Sequence, residues 1–343
     1  MTNASPNGPR DHGQVSARPS MRDVASEARV STMTVSRVLH DDSQVAEATR
    51  ARVLAAVEKL KYRRNEFARN LRLGRDAGVV GLVVANLANP FYSEVALGVE
   101  EILAEHHLRL MIGNSGESVQ SEEDLIFDFE TRRVDGMIVT PAGRDQPSLR
   151  RLVESRLPLV LAGTPPAGID ADCVLADDFG GALSSTRRLI EIGHRRVAFI
   201  GNPPSLYTDA ERFRGFSAAL EEAGLKAPAR YVHRVKSDVV GYEAAARELL
   251  QGSRPPTAIF CANNRITLGV LRAMFATKIH VAAICFDDFE VADLVGVPLI
   301  LVSFDAGLLG RSAAEMLMDQ INHAENVGSR RLTIPTTLIE RNI

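Results

Sequence analysis

The stretch DVASEARVSTMTVSRVL, residues 23–39, predicts two short helices separated by a tight turn. Apolar side chains recur at helical spacing in both halves of the stretch, at Val24, Ala25, Ala28, Val35, Val38 and Leu39. Ser20 is placed to cap a first helix that begins near Met21, and Ser31 is placed to cap a second helix from Thr32 to about Leu39.

A third apolar-periodic segment follows this pair, from about Ala46 to Leu60. Its predicted buried side chains are Val53, Leu54, Val57 and Leu60. Three such helices, with a short turn between the first two, are typical of a helix-turn-helix domain, whose second helix enters the major groove of DNA.

The charge distribution agrees with a nucleic-acid partner for this region. Residues 1–75 contain 14 Lys and Arg against 8 Asp and Glu, whereas the rest of the chain is acidic and the whole chain has a net charge of −3. A basic segment attached to an acidic body suggests contact with a polyanion. A basic face that is merely solvated would give the same counts.

Length and composition set the frame around this region. A chain of 343 residues with 45% apolar side chains predicts two or three domains with a large core. There is no apolar run of about 18 residues to span a membrane, and residues 1–19 are polar, so we expect a disordered tail on a cytoplasmic protein. Three widely separated cysteines, Cys173, Cys261 and Cys285, are expected to be buried free thiols.

Residues 21–76, MRDVASEARVSTMTVSRVLHDDSQVAEATRARVLAAVEKLKYRRNEFARNLRLGRD, resemble without a gap the head of the LacI-type (lactose repressor/purine repressor) transcription factors. The resemblance implies that Thr32, Met33 and Arg37 read bases. Met33 can only pack, for example on a thymine methyl, whereas Arg37 can form a bidentate contact with guanine. Alternatively, Arg37 contacts a phosphate and Met33 belongs to the core.

Hydroxyl groups on and beside the second helix are expected to contact phosphate. They belong to Ser31, Thr34 and Ser36. Nearby arginines would add affinity that falls steeply with salt.

The segment NEFARNLRLGRD, residues 65–76, matches the hinge helix of the same family. The resemblance implies that Leu71 wedges between base steps in the minor groove, that Ala68 allows two hinge helices to approach, and that Arg69 and Arg72 flank them. An ordinary linker is the alternative interpretation. The family usually has proline before this segment, where this chain has Arg64, so the entry angle of the hinge is open.

From Gly78 onward, continuous Val/Ile/Leu strands alternate with amphipathic helices. This pattern predicts parallel sheets covered on both faces, and the number of units predicts two α/β lobes with a ligand cleft beyond the carboxyl ends of the strands. The motifs NPFYSEVALGVE, RRVDGMIV, DDFGGA, GHRRVAFIGN, RFRGF and FDDFEVADL resemble the effector-binding body of the LacI family, which is similar to periplasmic sugar-binding proteins.

The predicted architecture is therefore a small all-α helix-turn-helix head with a hinge helix, followed by a two-lobed, periplasmic-binding-protein-like α/β body. The predicted boundaries are a tail at 1–19, a DNA-binding domain at 20–64, a hinge at 65–76 and an effector-binding and dimerisation domain at 77–343. Lobe 1 is expected at about 77–177 plus 302–323, and lobe 2 at about 178–301 plus 324–343.

Positions at strand ends and positions that match the family's motifs give the predicted effector contacts. They are Asn89, Phe91, Tyr92, Thr208, Arg212, Phe260, Asn263, Asn264 and Asp287. Amides, an arginine, a carboxylate and aromatic faces suit a sugar. Alternatively, Arg212 and Asp287 form a structural salt bridge, and Phe91 and Tyr92 are core residues.

Three departures from the family pattern make the cleft atypical. The chain has Asn264 where the family commonly has Asp, Gly163-Thr164 where a charged residue is usual, and Phe304-Asp305 where many members carry Gln before a proline. These departures give no basis for carrying over a particular sugar.

The preferred hypothesis is a DNA-binding regulator, most simply a repressor, that acts as a homodimer, or alternatively as a tetramer, on palindromic double-stranded operator DNA. A sugar-like small molecule in the cleft would switch its affinity. A cytoplasmic solute-binding module is the alternative. No phosphate loop, zinc spacing or nucleophile elbow indicates an enzyme, and no cofactor, metal site or membrane partner is expected.

The wedge hypothesis predicts that Leu71→Ala lowers operator affinity and DNA bending together, because unstacking by the leucine is what permits the bent, more extensively contacted duplex. Titration of the full chain against operator DNA, with bending measured on the same fragment, tests this. Unchanged affinity and unchanged bending would show that Leu71 belongs to an ordinary linker.

Overall fold

The computed structural model describes residues 19–39, 44–62, 77–143, 147–235, 238–323 and 329–342. The chain divides into two compact units, Met1–Arg75 and Asp76–Ile343. We call them the head and the body.

The described part of the head contains three helices, α1 (Met21–Ala28), α2 (Thr32–Leu39) and α3 (Glu47–Lys59). Ser20 and Asp23 form a reciprocal cap on α1: the Ser20 amide donates to Asp23 Oδ2 at 2.7 Å, and the Asp23 amide donates to Ser20 Oγ at 3.4 Å. Arg29 ends the helix in the left-handed region, with φ 53°. The predicted helix-turn-helix arrangement is confirmed.

The core of the head contains the apolar side chains expected for α1 and α2. Its buried members are Val24, Ala25, Ala28, Val35, Val38, Val53 and Ala56. On α3 the prediction for Leu54 is wrong: its side chain is 49% exposed, because Val53 and Ala56 already occupy the inner face of the helix. Val57 and Leu60 are half-buried against the core.

The body contains two six-stranded sheets, one in each lobe. The sheet of lobe 1 has the order β11-β5-β4-β3-β1-β2 and is parallel throughout. Its strands are β1 (Val79–Val84), β2 (Arg109–Asn114), β3 (Gly136–Val139), β4 (Leu159–Ala162), β5 (Asp172–Ala176) and β11 (Arg331–Ile334).

The sheet of lobe 2 has the order β12-β10-β9-β8-β6-β7 and is parallel except for β12, which runs antiparallel to β10. Its strands are β6 (Val197–Gly201), β7 (Val232–Arg234), β8 (Ala258–Cys261), β9 (Ala282–Phe286), β10 (Leu299–Ser303) and β12 (Thr337–Arg341). The inner strands of both sheets are buried and rich in Val, Ile and Leu, as expected for parallel pairing.

Eight α-helices cover the two sheets. They are α4 (Pro90–Glu105), α5 (Val119–Thr131), α6 (Pro147–Glu154), α7 (Asp178–Glu191), α8 (Tyr207–Glu222), α9 (Val239–Gln251), α10 (Asn264–Thr277) and α11 (Ala306–Asn322). Short 3₁₀ turns occur at Ala229–Tyr231 and Ala292–Leu294. The predicted two-lobed α/β architecture is confirmed.

The chain crosses between the lobes three times, after β5, after β10 and between β11 and β12. This corrects the predicted assignment of all of residues 324–343 to lobe 2. Strand β11 pairs with β5 in lobe 1, and only β12 returns to lobe 2. The second departure is small: residues 302–303 complete β10 and so belong to the sheet of lobe 2.

Helices α4 and α11 of lobe 1 pack closely against each other at glycine residues. A Cβ atom added at Gly98 would lie 2.1 Å from the Gly307 carbonyl oxygen, and one at Gly310 would lie 2.1 Å from that of Val95. Side chains at these positions would separate the helices, so the helix that follows the second crossover is fixed tightly to lobe 1.

The three cysteines are buried and free, as predicted. In the ranges that the structure describes, no helix has both the length and the apolar character needed to cross a membrane.

Candidate functional site

The exposed face of α2 carries the predicted base-reading residues. Thr32 and Arg37 are exposed, and Met33 is 67% exposed, while Val35 and Val38 are buried on the opposite face. The alternative that Met33 belongs to the core is therefore wrong. A large thioether on the surface of a small polar helix is available to pack against a partner.

The hydroxyl groups near the start of α2 are already used within the helix. The Thr34 amide donates to Ser31 Oγ at 3.1 Å, and the Ser31 and Thr34 hydroxyls are hydrogen-bonded at 2.9 Å. Ser31 therefore caps α2 as predicted, and Ser36 is half-buried. The predicted hinge residues Ala68, Arg69, Leu71 and Arg72 lie outside the described residues.

The body contains a cavity at the carboxyl ends of the strands of both sheets, where ligands of open α/β sheets bind. Seven of the nine predicted effector contacts line it: Asn89, Phe91, Tyr92, Thr208, Arg212, Asn263 and Asp287. Residues from both lobes contribute, so the cavity lies between the lobes.

Arg212, on α8, is buried in the wall of this cavity and held on several sides. Its Nε donates to Asp178 Oδ1 at 2.7 Å, and its Nη1 donates to the Ala262 carbonyl oxygen. The guanidinium carbon lies 3.7 Å from the centre of the Phe286 ring. These contacts fix the plane of the guanidinium group.

Two carboxylates lie at different distances from the guanidinium group of Arg212. Asp178 forms the close pair, whereas Asp287 Oδ1 lies 3.7 Å from Arg212 Nη2, too far for a hydrogen bond. Burial raises the pKa of Asp178 to about 6 against the attraction of Arg212, and burial also raises the pKa of Asp287. The salt bridge between Arg212 and Asp287, considered from the sequence, is thus a loose contact beside a tighter one.

The two amides that line the cavity also cap helices. Asn89 Oδ1 accepts a hydrogen bond from the Phe91 amide at 3.0 Å, and Asn263 Oδ1 accepts one from the Ile266 amide at 3.0 Å. Their carboxamide oxygens are therefore occupied, and each side chain can serve a ligand through its NH₂ group.

Phe91 and Tyr92 are half-buried and contact each other edge to face, with ring centroids 4.9 Å apart. Both rings line the cavity and also pack against the core of lobe 1. Desolvation raises the pKa of the Tyr92 hydroxyl, which stays neutral. The two alternatives considered from the sequence, a ligand contact and a core residue, therefore do not exclude each other, since each ring lines the cavity on one side and packs against the core on another.

The structure excludes Phe260 from this set. Its side chain is completely buried in the core of lobe 2, 5.2 Å from the Phe199 ring centroid. Phe260 lies within strand β8, with its ring on the covered face of the sheet, so the prediction is wrong. Asn264 lies beside the cavity rather than in it, and lines an adjoining pocket.

Sequence reasoning missed a polar group in the cavity wall. The backbone N–H of Asn202 donates to Asp209 Oδ1 at 2.6 Å, and the Tyr242 hydroxyl donates to the side-chain Oδ1 of Asn202 at 2.6 Å. Asn202 ends the motif GHRRVAFIGN, so the strand-end argument that selected Asn263 would also have selected it. Asp178 follows a short strand that the sequence analysis left unassigned.

Within the part of the chain that the structure describes, no group of three or more His, Cys, Asp and Glu side chains is arranged to hold a metal ion.

The raised pKa of Asp178 makes a prediction for Asp178→Asn. In the native protein this carboxyl contributes stability while protonated, and that contribution disappears as pH rises from about 4 through the folded pKa near 6. The difference in free energy of unfolding, native minus variant, should fall by roughly 3 kcal/mol over this range. Urea unfolding at a series of pH values measures it.

Asp170→Asn, which removes an exposed carboxylate, controls for the loss of one charge. A difference that rises with pH for Asp178→Asn would mean that attraction to Arg212 outweighs desolvation in the folded protein.

Comparison with known proteins places both units in one family. Residues 20–65 match the family described as bacterial regulatory proteins, lacI family, and residues 77–342 match periplasmic binding proteins and sugar binding domain of LacI family. The ribose operon repressor of Escherichia coli (strain K12) is 32% identical over 327 residues, covering 94% of this chain and 98% of that protein.

Another relative is the HTH-type transcriptional regulator CelR of Thermobifida fusca, 34% identical, covering 94% of this chain and 98% of that protein. Among solved structures, a transcriptional regulator CelR–cellobiose complex aligns with a TM-score of 0.70 and 32% identity, covering 94% and 98% of the two chains. The lac repressor dimer bound to operator and the anti-inducer ONPF aligns at 0.74 with 21% identity, over 94% and 97%, and shows the shared fold. The chain therefore belongs to the LacI family of DNA-binding transcriptional regulators.

Proposed function

We propose that this regulator binds a palindromic operator as a homodimer and that a sugar or sugar derivative in the cavity between the lobes switches its affinity for DNA. The observation that carries the proposal is that one chain contains both an exposed recognition face on α2 and a buried polar cavity built around Arg212. A solute-binding module would have no use for the first.

On DNA, α2 would lie in the major groove with its amino-terminal end towards the bases. Met33 would pack against a thymine methyl, and Arg37 would contact guanine. Arginines elsewhere on the head, such as Arg52, would contact phosphate and supply affinity without specificity. Repression follows most simply if the bound dimer blocks transcription from its operator.

The cavity would couple to the head through the arrangement of the lobes. Three chain crossovers join the lobes, so a ligand that contacts both can change their relative position. The name of one relative, the ribose operon repressor, and the cellobiose complex of another support a sugar-like effector here. Coupling of this kind is reciprocal: an effector that weakens DNA binding is itself bound more weakly by the DNA complex.

Arg37→Ala tests the reading of bases. We expect the variant to lose roughly 1–3 kcal/mol of discrimination between operator and unrelated DNA, because a bidentate contact with guanine is removed. Fluorescence anisotropy with the full chain, its own upstream DNA and a scrambled duplex, at two salt concentrations, measures this directly.

Arg52→Ala is the matched control, since the loss of a phosphate contact should weaken binding to both duplexes about equally. An effector is then identified by adding sugars to the same assay, and a compound that shifts operator affinity several-fold establishes the switch. Equal binding of the native chain to operator and scrambled DNA would contradict the proposed function.

The proposed dimer uses exposed apolar side chains on the body. Leu268 and Phe275, on α10, are 50% and 57% exposed and lie seven residues apart, on one face of the helix. On lobe 1, Leu97 of α4 is 66% exposed. Such residues are more easily explained by a partner surface than by solvent.

Phe275→Asp is expected to shift the chain from dimer to monomer and to weaken operator binding by at least about tenfold, because one head contacts only a half-site. Sedimentation velocity measures the assembly state. Leu294→Asp, at a side chain 83% exposed outside α10, is the control and should leave the dimer intact. A Phe275→Asp variant that remains dimeric would place the interface elsewhere.

A further inference from the structure

The cavity wall contains more negative than positive side chains. Its carboxylates are Glu117, Asp178, Asp209 and Asp287, and its cations are Arg212 and Arg265. Arg265 lies at the edge, where its Nη1 donates to the Ala88 carbonyl oxygen of lobe 1 at 2.9 Å. The deep part of the cavity therefore has a single guanidinium group beside several carboxylates.

Hydrogen-bond acceptors in this wall lack donors. Among the described residues, Asp178 Oδ2 and Asp287 Oδ1 are buried without a hydrogen-bond partner. Each such acceptor costs about 1–3 kcal/mol until a donor reaches it. Burial raises the pKa of both carboxyl groups against the attraction of Arg212.

An adjoining pocket extends the negative charge. It shares Phe91, Asp287 and Phe304 with the cavity, and its other carboxylates are Glu94, Asp288, Glu290 and Asp293. Its arginine, Arg341, is hydrogen-bonded to Asp293. Asn264, 92% buried in its wall, has an Oδ1 without a donor among the described residues.

Arg212 would meet an anionic ligand with part of its donor capacity already used within the protein. Its Nε and Nη1 already donate to Asp178 and to the Ala262 carbonyl oxygen, and its face lies against Phe286. A phosphate group carries about −1.5 to −2 charges at neutral pH. Placed in this cavity, it would be desolvated beside four carboxylates that share the wall with only two arginines.

Neutral hydroxyl groups suit the rest of the wall. The NH₂ groups of Asn89 and Asn263 can donate to them, and the rings of Phe91 and Tyr92 can cover an apolar C–H face. The carboxylates accept hydrogen bonds from hydroxyl and ammonium donors alike, but only an ammonium also offsets their charge.

We propose that the effector is a polyhydroxylated compound that carries a protonated amine and no phosphate or carboxylate group, with the amine directed to Asp287 at the border between the cavity and the adjoining pocket. This rests on the proposed function, in which the cavity holds the effector. It predicts an order of affinity for one sugar framework: amino sugar first, neutral parent second, phosphorylated sugar last.

The first test measures binding to the full chain by calorimetry, without DNA, in matched series. One series is glucosamine, glucose and glucose 6-phosphate, and another is galactosamine, galactose and galactose 1-phosphate. In a framework that binds, the amino sugar should be about tenfold tighter than its parent and the phosphate at least tenfold weaker. A phosphorylated sugar that binds as tightly as its parent overturns the proposal.

Asp287→Asn decides the role of the carboxylate. Asp287 has φ 69°, a conformation that Asn tolerates well, so the variant should fold. Without ligand, its Tm should rise by about 2–4 °C, because a buried carboxylate is removed whose contact with Arg212, at 3.7 Å, is too long for a hydrogen bond. In the calorimetric series the preference for the amino sugar should fall to less than about twofold.

Glu290→Gln, on the exposed side of the adjoining pocket, is the matched control, and its Tm should not change. A lower Tm for Asp287→Asn would mean that this carboxylate already has its stabilising partner, and would overturn the proposal without any ligand. Both measurements omit DNA, so a failure of the proposed regulator function would appear only in the operator-binding assay.

Discussion

The buried ion pair between Arg212 and Asp178 is the interaction on which the cavity depends. Each group alone would be costly to remove from water, and breaking such a pair typically costs about 3–5 kcal/mol. Here the guanidinium group also donates to a backbone carbonyl and lies on the Phe286 ring, which fixes its plane. Helices α7 and α8, which supply the pair, are thereby held together at the floor of the cavity.

Some carboxylate oxygens around Arg212 have no hydrogen-bond donor among the described residues. Asp178 gives one oxygen to Arg212 and retains another, and Asp287 lies too far away to share the guanidinium group fully. A binding site that is incompletely satisfied in its empty state gains more from the correct ligand, because each donor that the ligand supplies removes an existing cost. On the lobe 1 side, the wall contains the uncharged pair Gly163-Thr164, which offers no charge to these carboxylates.

The two functional surfaces rest on different physics. On α2, the proposed contacts with DNA require exposure: Met33 and Arg37 lie on the surface because Val35 and Val38 fill the small core of the head. In the body, function requires burial, because only a cavity that excludes water makes a few hydrogen bonds selective. The chain crosses three times between the lobes, and thus a ligand held by both can act on their relative placement.

The sequence by itself determined what local spacing controls. Helical periodicity and capping residues fixed the three helices of the head, and continuous apolar strands fixed the parallel sheets of the body. It also identified part of the cavity, because Asn89, Asn263 and Asp287 follow the carboxyl ends of strands in the two sheets, and those ends face the cavity. The family resemblance supplied Arg212 and Thr208, which spacing alone does not select.

Only the tertiary structure decided the rest. Strand β11 belongs to lobe 1 because it pairs with β5, and next to this pairing the backbone N–H of Arg330 donates to the Asp172 carboxylate, 158 residues earlier. No local sequence pattern encodes a pairing over such a separation. Phe260 faces the core rather than the ligand because a strand residue takes its face from the packing of the sheet. Which carboxylate satisfies Arg212, and which is left for a ligand, depends on distances of a single ångström between separate helices and loops, and sequence spacing does not specify those distances.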